Sequence, residues 1–69
     1  MARRERSTSN GREIYFEHIA IGNAVKVSAV DAASGTEVSI TGPRHSSQKE
    51  LERVALQKLL RAMERGKIR

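Results

Sequence analysis

Apolar residues recur along this chain with two periods, and the change between them predicts where a sheet gives way to a helix. From Glu13 to Thr41 the period is two. The run EIYFEHIA, Glu13 to Ala20, places Ile14 and Phe16 on one face and Tyr15 and Glu17 on the other, and its branched and aromatic residues suit a strand. After Glu17 the alternation changes sense. His18 continues the apolar face, whereas Ile19 and Ile21 fall on the polar one; a bulge, a bend or a partner surface would each account for that. Gly22 and Asn23 tolerate positive φ and mark a turn. Ala24 to Val30 then alternates cleanly, with Val25, Val27 and Ala29 facing in and Lys26 and Ser28 facing out. Asp31 to Gly35 opens on Asp and closes on Gly, which suits a short hairpin loop. Thr36 to Thr41 makes the third strand, with Val38 and Ile40 inward, and Gly42-Pro43 ends it because proline has no amide proton for a ladder.

From Ser47 to Arg65 the spacing is helical. Leu51, Ala55, Leu59 and Ala62 form one stripe, widened by Val54 and Met63, that would cover the inward residues of the sheet. Ser47 with Glu50 three residues later matches a capping box, and Gly66 is placed to end the helix. The sum is an α+β fold of order β-β-β-α over residues 13–66: a three-stranded antiparallel β-meander followed by one C-terminal α-helix packed on one face. Residues 1–12, MARRERSTSNGR, lack apolar periodicity and read as a disordered basic arm, one that either reaches phosphates or only solubilises the terminus. Residues 67–69 read as a frayed end whose basic groups suit the negative pole of the helix dipole.

Size and charge narrow the picture. Sixty-nine residues make one domain, and a chain of this size buries only about 60% of its unfolded surface, so self-association is a natural source of stability. The absence of cysteine removes disulfides and thiolate metal sites, and two histidines are too few for a protein-only zinc site; no cofactor is expected. No run approaches the roughly 20 apolar residues of a membrane helix, and no apolar segment follows the N-terminal arginines. A cytoplasmic location without a membrane partner is therefore expected. Thirteen Lys and Arg against eight Asp and Glu give a formal charge of +5, which favours anionic partners, although Arg3, Arg4 and Arg6 belong to the expected arm.

Few residues carry candidate chemistry. Lys49, Arg53, Gln57, Arg61 and Arg65 stand four apart, so a basic column runs along one side of the helix, either to meet phosphates or an acidic partner or simply to be solvated. Arg44, His45, Ser46 and Ser47 with Lys49 gather cations and hydroxyls at the helix N-terminus, without the glycine-lysine pattern of a P-loop. Leu56 and Leu60 extend the apolar arc beyond what three short strands need, and Ile19 and Ile21 do the same on the first strand. These surplus patches either form a homodimer interface or pack on each other within one subunit. His18 has no identifiable partner and reads as structural rather than as a ligand or base. Without an acid–base pair, a phosphate loop or the volume of the usual enclosed pocket, no enzymatic activity is expected.

The stretch GNAVKVSAVDAASGTEVSITGP followed by ELERVALQKL, within Glu13 to Leu60, resembles a short uncharacterised alphaproteobacterial family of unknown function. The shared features are the Gly-Asn turn, the Val-Lys-Val strand, the Ser-Gly-Thr-Glu-Val hairpin, the Gly-Pro stop and the Val-Ala-Leu-Gln-Lys-Leu helix. That family has no established activity, so the resemblance implies no site residues. Some relatives carry the label serine hydroxymethyltransferase, whose chemistry needs a large pyridoxal phosphate fold with a buried Schiff-base lysine that this chain cannot build. Three strands and a helix beginning Ser-Ser-Gln-Lys also resemble the C-terminal part of a double-stranded RNA-binding domain, which implies lysines against phosphates near the helix start. Here only Lys49 stands in such a place, and no first helix precedes the strands. The role expected from the whole is a non-catalytic protein-interaction module, homodimeric in one reading, with RNA or DNA binding through the helix column and the arm as the alternative.

Overall fold

A computed structural model describes residues 2–66 and shows four strands where the sequence pattern predicts three. The strands are β1 (Ala2–Ser9), β2 (Arg12–Ile21), β3 (Ala24–Asp31) and β4 (Glu37–Pro43), and helix α1 (Gln48–Gly66) follows them. They lie in the order β1-β2-β3-β4, each antiparallel to the next. The expected frayed end, residues 67–69, lies outside the described residues.

The additional strand corrects the expectation of a disordered arm over residues 1–12. Asn10 and Gly11 both take positive φ, at 54° and 75°. That is the backbone of a two-residue hairpin turn whose twist matches the flanking strands. The turn sets β1 against β2 with Arg4 opposite Glu17 and Thr8 opposite Glu13. Arg6 Nη1 then lies 3.0 Å from Glu13 Oε2, and Arg4 Nη2 lies 3.8 Å from Glu17 Oε2. Exposed pairs of this kind contribute about 0.2–1 kcal/mol each. Ladder hydrogen bonds and cross-strand charges thus hold a strand that has no apolar face of its own.

The core forms where the predicted stripes meet. Ile14 and Phe16 of β2, Val25, Val27 and Ala29 of β3, and Leu51, Ala55 and Leu59 of α1 are buried together, with Val38, Ile40, Leu56 and Met63 packed around them. Leu56 rather than Val54 widens the helix stripe, and Val54 is left 39% exposed. The helix rests on β3 and β4, so the inner face of β1 and the adjacent side of β2 extend beyond its cover. Its first turn sits close to β4 because Gly42 has no side chain: a Cβ there would stand 2.7 Å from Leu51 Cδ2.

Helix and strand ends refine the sequence reading. Ser47 Oγ accepts the Glu50 amide at 3.4 Å, but the Glu50 carboxylate turns to Arg53, so only half of the capping box forms. Pro43 does not end β4 early; it pairs with Ala24, which an edge strand permits because its free side needs no donor. The Asp31 turn forms as read, with the Gly35 amide donating to Asp31 O at 2.8 Å and Gly35 at φ 76°. Among the described residues no helix is long and apolar enough to cross a membrane.

Candidate functional site

Two surfaces stand out, and both follow from a helix that covers only half of one sheet face. The first is a groove between β1 and α1. In the β1–β2 register Arg3 is opposite His18, Glu5 opposite Phe16 and Ser7 opposite Ile14, so β1 lines the inner face with polar side chains. One end of the groove is a cleft of ≈ 380 Å³ bounded by Arg3, His18, Ala20, Val25, Arg44, Ser46 and Gln48. The other end is shallower, ≈ 220 Å³, between Ser7, Phe16, Lys49, Glu52, Arg53 and Leu56.

Titratable groups meet between these two ends. His18 is only 4% exposed, and its Nε2 lies 3.0 Å from Glu52 Oε2. The approach is too poorly aligned for a hydrogen bond, and both ring nitrogens are buried without a hydrogen-bond partner among the described residues. Glu5 is held below its ordinary pKa, first by Arg3 and then by a hydrogen bond from Glu52. Glu52 is pushed up, first by desolvation and then by the Glu5 carboxylate. Glu52 is therefore the member of the pair that keeps a proton to higher pH.

A separate buried carboxylate serves the fold. Asp31 Oδ2 accepts the Ser34 amide at 2.9 Å and Arg12 Nη1 at 3.1 Å. Hydrogen bonds from Ser34, and then the Arg12 guanidinium, hold the Asp31 carboxyl below the usual carboxylate range. The contact ties the β3–β4 loop to the start of β2. Sequence reasoning gave Asp31 its turn role but missed Arg12, which fell in the expected arm.

The second surface is the outer face of the sheet, which no element covers among the described residues. The β2–β3 ladder runs in unbroken register from Ile14 opposite Asp31 to Ile21 opposite Ala24. There is no bulge, and Ile19 and Ile21 stand outward with Tyr15 and Glu17. Ile21 is 60% exposed. Neighbouring outward positions are Lys26 and Val30 of β3 and Ser39 of β4, whose Oγ lies 3.0 Å from Ser28 Oγ.

The residues singled out from the sequence separate across these surfaces. Ile19 and Ile21 lie on the outer face; Leu56 packs on the core from the inner side, and Leu60 lies beside Arg12 and Met63. The two apolar patches therefore do not pack on each other within the subunit. The basic column divides as well. Lys49 and Arg53 line the groove, with Arg53 paired to Glu50, whereas Arg61 and Arg65 lie on the far side with Val54, Gln57 and Lys58. Lys58 Nζ donates to Ser39 O at 2.8 Å and so occupies the β4 edge. Arg44 Nη1 donates to Gly22 O at 3.3 Å. Lys49, Arg61 and Arg65 have no carboxylate partner among the described residues, and no acidic or histidine cluster there could hold a metal ion.

A four-stranded antiparallel sheet with one helix on half of one face defines the class: a small α+β domain with an open sheet surface and a polar groove. Residues 11–66 match a family model described as a domain of unknown function, DUF6898, and the chain belongs to that family. No curated protein and no solved structure matches it. The family match begins at the turn residue Gly11, so β1, which builds one wall of the groove, lies outside it.

Proposed function

We propose that this domain is a non-catalytic protein-interaction module of the bacterial cytoplasm that works as a homodimer, a second copy docking on the outer face of the sheet. The observation that carries this reading is the unbroken β2 ladder, which keeps Ile19 and Ile21 on the outer face with no bulge to turn them inward, Ile21 exposed and Ile19 half-buried. Covering an isoleucine side chain is worth about 1.5–3 kcal/mol. Four strands of about eight residues present roughly 500 Å² per copy at ordinary strand rise and spacing. Two such faces meet the approximately 1,000 Å² that a specific interface needs. Charge does not oppose self-association there: Arg4 and Arg6 are paired with Glu17 and Glu13 within the chain, and Lys26 and Glu37 add one charge of each sign.

Light scattering in solution tests this. The full chain is expected at twice its 7.7 kDa mass, and Ile19→Asp with Ile21→Asp is expected to halve that value, while Leu60→Asp leaves it unchanged. A wild-type chain of monomer mass would sink the proposal.

A second reading is favoured by Arg61 and Arg65, which have no carboxylate partner among the described residues, with Lys49 and Arg44 nearer the groove: contact with nucleic-acid phosphates, to which the arginines of β1 would add. It requires retention on RNA or DNA that weakens steeply with salt and disappears in Arg61→Glu with Arg65→Glu. Retention insensitive to those substitutions would remove it.

A further inference from the structure

We infer that the deeper end of the groove is a binding site for a small phosphate monoester, a role independent of the outer sheet face. Three observations converge there. The cleft of ≈ 380 Å³ is bounded on opposite sides by Arg3 of β1 and Arg44 of the β4–α1 connection, two guanidiniums able to grip a tetrahedral anion by paired N–H groups. The N-terminus of the 19-residue helix α1 opens onto it through Gln48, with Ser46 beside it, where unpaired amides and the positive end of the helix dipole favour negative charge. His18, also in the lining, is 4% exposed; its Nε2 faces the Glu52 carboxylate at 3.0 Å, and its Nδ1 is buried without a hydrogen-bond partner among the described residues. A buried ring nitrogen without a partner is costly, and a ligand oxygen reaching Nδ1 after a small side-chain shift would remove that cost.

The lining also selects what is attached to the phosphate. Ala20 and Val25 supply an apolar wall, so the cleft suits an organic ester better than inorganic phosphate alone. Two carboxylates stand close by and set the limits of the site. Glu5 is engaged with Arg3, and a bound dianion competes with it for that guanidinium; Glu52 faces His18 from the helix side. Arg44 has no carboxylate partner among the described residues and is steadied by Gly22 O, which makes it the principal anchor.

Amide-resolved NMR titration of the full chain at constant ionic strength tests the assignment, with inorganic phosphate and glycerol 3-phosphate as separate probes. Saturable shifts are expected at the Gln48, Lys49 and His18 amides, with glycerol 3-phosphate binding more tightly than inorganic phosphate. Arg44 is exposed, so Arg44→Gln is expected to keep the wild-type spectrum elsewhere while weakening both probes about tenfold, the loss of one charged hydrogen-bonding group. Arg61→Gln, at the far side of the helix, is expected to change neither. Shifts that grow linearly without saturating, or that survive Arg44→Gln unchanged, would overturn the site. Equal affinity for the two probes would overturn the assignment of an organic ester.

Discussion

Gly42→Ala is expected to destabilise the domain through a single contact, and the structure fixes both the size and the cause. The new methyl would stand 2.7 Å from Leu51 Cδ2 and 3.6 Å from Leu51 Cδ1. Carbon atoms pack comfortably at about 3.5–4.0 Å, so the leucine end must retreat by roughly 1 Å into a core where Leu51 is only 8% exposed. Forcing one extra methyl into a packed core costs about 1–3 kcal/mol. Replacing a strand glycine by alanine returns about 0.5–1 kcal/mol of backbone entropy, which leaves a net loss near 1 kcal/mol. For a domain of this length that lowers Tm by about 4–8 °C. Thermal unfolding of four proteins measures it: wild type, Gly42→Ala, Leu51→Ala and the double variant. Leu51→Ala alone is expected to cost about 2–5 kcal/mol as a cavity, but in that background the Gly42 methyl has room and its penalty vanishes, giving a coupling of about 1–2 kcal/mol. An equal loss from Gly42→Ala in both backgrounds would refute the reasoning that Gly42 is small to admit Leu51.

Further outcomes follow from β1 and from the two perturbed carboxylate sites. Gly11→Val puts a β-branched residue at φ 75°, at a cost of about 1–3 kcal/mol; hydrogen exchange is expected to quicken across residues 2–12 while β3 and the core of α1 stay protected, and uniform loss of protection would contradict the view of β1 as a separately held strand. The depressed Asp31 carboxyl contributes stability that is complete above its unfolded pKa and is lost as pH falls through the lower folded value. In Asp31→Asn, unfolding monitored from neutral pH down should lose that acid dependence, and an unchanged acid limb would argue against the Ser34 and Arg12 contacts. Glu52 has the opposite sign. Its raised pKa means folding takes up a proton, so its contribution declines as pH rises through the folded value; Glu52→Gln should raise Tm at neutral pH and flatten that slope, and a drop in Tm would count against a desolvated carboxyl beside Glu5.

What the sequence revealed and what it concealed divide along physical lines. Val25, Val27 and Ala29 on β3 and Leu51, Ala55 and Leu59 on α1 were legible because burial imposes a period, and all six are in the core. β1 was not, because Arg3 to Ser9 has no apolar face and is held by partners on another strand, Glu13 and Glu17, whose relevance appears only once the register is known. One local signal was available: Asn10-Gly11 is a strong hairpin dipeptide, masked by the polar Ser-Thr-Ser run before it. Missing β1 also hid the groove, since Arg3, Glu5 and Ser7 supply its wall. The exchange of Val54 for Leu56 in the helix stripe has a similar origin. Both fit a helical period, and only the placement of α1 on β3 and β4 decides which of them turns inward.

Docking of a second copy on the outer sheet face would bring Ile19 and Ile21 of one chain against the other. In a mixture of isotope-labelled and unlabelled chains, isotope-filtered NMR should detect nuclear Overhauser contacts between chains at the methyl groups of Ile19 and Ile21. Their absence at concentrations where the mass is doubled, or contacts between chains that arise instead from Val54 or Leu60, would contradict it.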